Sequence, residues 1–160
     1  MWRWLLHPLL GSGAAAQRSG AIGLLIAMST SLAFAQDGRP LAIGKSLVDG
    51  NIRIEIEELK RTGDGTVMLR FAVVNDSMRD LDNSFLGAAT EMRLVDLVNR
   101  RQYGVGMRDV LNTLSSPFPG AKAKSRIELW AVYGAPPPGV TKLTVMLPNF
   151  YPIDDVPLGN

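Results

Sequence analysis

Catalysis and metal binding call on a short menu of side chains, and this sequence is poor in it. His7 is the only histidine in 160 residues, and there is no cysteine. Past residue 35 the chain has neither imidazole nor thiol, which excludes Ser-His-Asp and Cys-His nucleophile systems, imidazole acid–base chemistry and ordinary zinc sites there. Fifteen acids leave a paired-carboxylate hydrolase formally open. Such a site needs a cleft on a larger scaffold, and none of these acids sits in a recognisable motif. The expectation is a protein without catalytic residues, cofactor or metal site.

A few groups could still bind something. Asn75-Asp76-Ser77-Met78-Arg79-Asp80-Leu81-Asp82-Asn83 offers hard oxygen ligands of the kind calcium takes. Arg79 puts a cation among them and no Glu closes the run, so a solvated loop is expected. Lys122, Lys124 and Arg126 alternate and would share a face if extended, a stripe suited to anionic headgroups or polysaccharide. The competing expectation, which the charge balance favours, pairs them with Glu55, Glu57 or Glu128. Trp130 is the only tryptophan after residue 35. It has the parity of Arg126 and Glu128, opposite to Ile127, Leu129 and Ala131. Exposed, it would anchor a sugar ring or a partner protein. The size of the indole favours cover by loops or by the C-terminal segment. Met92, Met107 and Met146 have no metal-site spacing and are read as core. Asn75-Asp76-Ser77 is a glycosylation acceptor only in a eukaryotic secretory pathway.

The elements that position these residues begin after a leader. Arg3 and Arg18, the apolar run from Ala21 to Met28 and Ala33-Phe34-Ala35 read as a signal peptide over 1–35, cleaved before Gln36. The alternative is an uncleaved anchor, interrupted by Ser29, Thr30 and Ser31. The formal charge of +2 comes from those two arginines, leaving fifteen basic against fifteen acidic residues. A nucleic-acid binder would carry a basic excess, so nucleic acid is not an expected partner. With no cysteine there is neither disulfide nor lipid-bearing thiol, and no membrane span is expected once the leader is removed.

Residues 36–51 are polar and glycine-containing and read as a partly ordered lead-in. Ile52 to Glu57 alternates apolar and charged, Thr62-Gly63-Asp64-Gly65 is turn chemistry, and Thr66 to Asn75 resumes the alternation, which together predict a hairpin. Asp76 to Thr90 predicts a long loop with room for a short helical turn. Glu91 to Val98 and Gln102 to Met107, joined through Asn99-Arg100-Arg101, predict a second hairpin. Ser125 to Tyr133 and Val140 to Leu147 predict strands separated by Pro136-Pro137-Pro138, which cannot continue a ladder. No segment has the spacing of a long helix. Six or seven short strands predict an antiparallel sandwich, with a small open barrel as the alternative.

Leu94-Val95-Asp96, Arg101-Gln102-Tyr103, Leu129-Trp130-Ala131, Ala135-Pro136-Pro137-Pro138-Gly139-Val140-Thr141-Lys142 and Pro148-Asn149-Phe150 together resemble a secreted bacterial immunoglobulin-like domain. In some relatives that domain precedes an outer-membrane-protein-A-like domain. The resemblance covers residues 52–158 and implies an all-β immunoglobulin-like sandwich of about seven strands over 52–160 and a periplasmic or secreted location. A cysteine pair expected near Asn112 to Ser116 is absent, and cell-wall attachment is not carried over. No activity comes with the resemblance.

Phe150, Tyr151, Ile153, Val156 and Leu158 are too many large apolar side chains for a solvated tail. Their segment is expected to join the fold as an edge strand or crossing, where Pro152 and Pro157 cost no ladder bond, and to cap an open edge or cover Trp130. The functional expectation is a non-enzymatic exported binding or structural module serving an envelope complex, its partner a protein or an envelope component. A lectin-like carbohydrate-binding domain is the alternative, with a small hydrolase further behind. An exposed aromatic beside a groove would favour the lectin, and a free strand edge would favour a protein partner.

Overall fold

The computed structural model describes residues 38–106 and 115–160. Residues 1–35, predicted to be a leader, and Met107 lie outside the described residues, as does most of the stretch where a cysteine pair was expected. The described residues are all-β: β1 Ala42–Lys45, β2 Ile52–Thr62, β3 Thr66–Asn75, a 3-10 turn at Ala89–Glu91, β4 Arg93–Asp96, β5 Arg101–Gly104, β6 Ser125–Gly134, β7 Lys142–Met146 and β8 Ile153–Pro157. Two four-stranded antiparallel sheets result, ordered β1-β2-β3-β6 and β5-β4-β7-β8. Among the described residues no helix is long and apolar enough to cross a membrane.

Binary patterning drives this layout. Ile52, Ile54 and Ile56 of β2 face inward with Val67, Leu69, Phe71 and Val73 of β3 and Leu129, Ala131 and Tyr133 of β6. They meet Leu94, Leu143, Val145 and Val156 from the second sheet in one core. β2 runs five residues past the predicted end because a bulge between Ile56 and Glu58 absorbs one residue. Alternation breaks there in the sequence, yet the extra residue keeps Leu59 on the core side at 1 % exposure. At the hairpin turn Gly65 has φ +78°, and the Asp64 carboxylate accepts from the Thr62 and Thr66 hydroxyls at 2.6 and 2.7 Å.

Two expectations need correction. Residues 36–51 are not simply a lead-in: Ala42–Lys45 pair with β2 from Ala42↔Ile56 to Lys45↔Arg53, one strand more among the described residues than the sequence predicted. Alternation is weak there because Gly44 takes the inward position. A Cβ at Gly44 would lie 2.4 Å from Ile153 Cδ1, so the close approach of β8 selects glycine. The C-terminal segment does join the fold, with Phe150, Ile153, Val156 and Leu158 buried and β8 on the edge of the second sheet, but Tyr151, counted with them, is exposed. It does not cover Trp130.

Isolated bridges cross both seams between the sheets. At one, Leu47 N–H donates to Asn149 O at 2.8 Å and Tyr151 N–H to Lys45 O at 3.1 Å. At the other, Gly106 N–H donates to Val132 O at 2.7 Å. Past the bulge, Gly159 pairs with β2, accepting from Arg61 N–H at 2.9 Å and donating to Leu59 O at 2.8 Å.

Candidate binding face on the first sheet

Outward residues of β2, β3 and β6 form the best-defined polar surface of the described residues. In register, Glu55 stands beside Ala72 and Glu128, Arg53 beside Val74 and Arg126, and Glu58 beside Arg70 and Trp130. Ala72 and Val74 have outward parity yet are buried, because the long charged side chains on either side fold over them. Arg126 is the hub. Its guanidinium contacts Glu57, reaches Glu128 Oε1 at 2.7 Å and Glu55 Oε2 at 3.4 Å. The hydrogen bond it donates to Glu57 is the main cause that raises its pKa above the usual arginine value. Arg53 ties Glu55, at 2.9 Å, to Asp76.

The basic stripe is thereby resolved into pairs. Lys124, just before β6, has φ +58°, so the run is not uniformly extended. Lys122 Nζ meets Asp80 Oδ2 at 2.7 Å, holding that carboxyl below its ordinary range, and Lys124 Nζ donates to Asp76 O at 2.5 Å. The loop considered for calcium is committed likewise. Asp80 also accepts from Ala123 N–H at 2.8 Å, and Asp82 from Ser84 N–H at 2.8 Å. Among the described residues no three acidic groups converge on a metal-sized space.

Trp130 overturns the expectation of cover: it is 42 % exposed. It flanks a shallow groove of about 490 Å³ lined with Met68, Arg70, Glu128 and Leu129. Arg70 is only loosely held, 3.9 Å from Glu57. Beyond Arg126, the incoming segment Gly38-Arg39-Pro40 walls a smaller hollow of about 200 Å³ with Glu55 and Glu57. The backbone of Trp130 is not available to an added strand. Its carbonyl accepts from Ser116 N–H at 2.9 Å and its N–H donates to Ser116 Oγ at 2.8 Å.

Parity alone placed Trp130, Arg126 and Glu128 together. Met68 and Arg70 escaped notice because only the pairing register, Arg70 against Trp130, brings them to the indole. The hydroxyls of Tyr103 and Tyr133 are buried without a partner among the described residues, and burial pushes the Tyr133 phenol well above its ordinary range. They face the interior and offer no access to a ligand. No protein-family model, curated protein or solved structure matches the chain, so this face is read from its geometry.

Proposed function

We propose that residues 36–160 form an exported, non-enzymatic recognition domain of immunoglobulin-like type, an accessory of the cell envelope that holds a saccharide ring of an envelope polymer against Trp130. The observation that carries the ligand reading is the exposed indole beside a groove whose rim carries Arg70 and Glu128. An apolar ring face stacks the C–H face of a sugar while flanking charged groups hydrogen-bond its hydroxyls. Occupied backbone at Trp130 disfavours strand addition at that point.

Strand order supports the immunoglobulin-like reading. Counted from β2, the first, second and fifth strands lie side by side in one sheet, and the third, sixth and seventh in the other. Export rests on the leader pattern ending at Ala33-Phe34-Ala35. The absence of histidine and cysteine after residue 35 supports the non-enzymatic reading.

In protein beginning at Gln36, Trp130 is the sole indole, so its emission reports this groove alone. Titration with soluble peptidoglycan fragments and neutral oligosaccharides should give a saturable spectral shift. By isothermal titration calorimetry, which needs no indole, Trp130→Phe should retain part of the affinity, and Trp130→Ala should lose about tenfold or more. A flat response across the glycans, with the fold intact, rules out the saccharide.

A further inference from the structure

We propose that the tip of the β4–β5 hairpin is a docking point for an anionic lipid surface, separate from the Trp130 face and independent of what binds there. The sequence places Leu97-Val98-Asn99-Arg100-Arg101 across the turn. Leu97 is 67 % and Val98 85 % exposed, two adjacent aliphatic side chains where turns ordinarily carry Gly, Asn or Asp. They had been expected to end the strand, but the strand stops at Asp96.

The turn is built to hold them out. Asp96 is buried, and its carboxylate accepts from Val98 N–H at 3.1 Å, Asn99 N–H at 3.0 Å and Asn99 Nδ2 at 2.6 Å. Arg100 sits at φ +53°, a left-handed conformation that glycine or asparagine adopts more easily. Arg100 and Arg101 are exposed and form no salt bridge among the described residues.

Register puts this tip at the same end as the β2–β3 turn and the β6–β7 loop. Of the acids at that end, Asp155 is paired with Lys142 at 2.5 Å and Asp96 stands beside Arg101, while Asp64 keeps its charge under hydrogen bonds from the Thr62 and Thr66 hydroxyls. That leaves Arg100 as the arginine of the tip with no acid beside it among the described residues. Two aliphatic side chains are too small a patch for a specific protein interface, which takes on the order of 800 Å² per partner. They suit the headgroup–acyl boundary of a bilayer, with the guanidinium groups at the depth of the phosphates.

The test uses residues 36–160, which contain the whole described core. The protein is sedimented with phosphatidylcholine vesicles with and without phosphatidylglycerol. The expected result is salt-sensitive partitioning onto the phosphatidylglycerol vesicles, stronger than onto phosphatidylcholine by about fivefold per arginine. L97S/V98S should weaken it about tenfold or more, and R100G/R101Q should erase the preference for phosphatidylglycerol. Melting midpoints should stay close to that of the parent, since all four side chains are exposed. Absence of partitioning at low salt, equal binding to both vesicles, or binding that both variants retain overturns the proposal.

Discussion

Asn75 is a side chain whose structural role exceeds anything its neighbours in the sequence suggest. Fully buried at the end of β3, its amide donates to Arg79 O at 2.7 Å, Lys122 O at 3.0 Å and Ala121 O at 3.2 Å. Its Oδ1 accepts from Ser77 N–H at 3.1 Å and from the Ser77 hydroxyl at 2.6 Å. One residue thus closes the loop after β3 and fastens it to the segment entering β6. The amide is also occupied, so the folded chain offers no glycan acceptor there. Replacing Asn75 by Ala strands several buried groups and should cost about 2–3 kcal/mol. Urea unfolding should show this as a lower midpoint with an unchanged m-value; a loss below about 0.5 kcal/mol would match an ordinary surface site and contradict the role. The turn character of residues 75–83 was legible because Asn, Asp and Ser are turn formers. Its long-range anchor was not, because the partner carbonyls lie 46 and 47 residues away. For Trp130, period-two parity revealed the face, while exposure depends on which loops lie over that face.

At the scale of elements, strands with clean alternation were legible and those without it were not. β2, β3, β6 and β7 follow from their apolar positions, and the proline run correctly separates β6 from β7. β1 was hidden by its brevity and by Gly44, whose use appears only when Ile153 is packed on it. The turn of the second hairpin begins two residues before the predicted Asn99 and ends one before the predicted Arg101, since Leu97 and Val98 look like strand and lie at the tip. The C-terminal segment was legible through composition as an edge strand or a crossing, and it is the edge strand β8. Its segment buries Phe150, Ile153, Val156 and Leu158, and Phe150 makes an edge-on contact with Phe85 at 5.9 Å between ring centroids. At about 1.5–3 kcal/mol for each buried side chain, the segment contributes as much as a typical domain's net stability of about 5–15 kcal/mol. Protein ending at Asn149 should therefore be unfolded or aggregated. A cooperative melt within a few degrees of the longer chain would show that the segment is dispensable.

For the whole molecule, the leader reading makes a direct prediction. Protein expressed with its own first 35 residues in a bacterial host should give an intact mass matching a chain that begins at Gln36. A mass retaining Trp2 and Trp4 would favour the uncleaved anchor. The resulting domain would carry no net formal charge, leaving its recognition to local groups such as the Trp130 groove and the hairpin tip. The closing of the seams has one more consequence, for the order in which the protein can fold. β8 follows every other strand in the chain, yet it supplies core side chains and, with the residues just before and after it, touches β1 and β2. At roughly 5–20 residues per second, synthesis from Ile52 to Leu158 takes about 5–20 s. During that interval the core lacks the side chains that β8 supplies, and β1 and β2 lack their seam partners, so the packed sandwich forms only after Leu158 has been added.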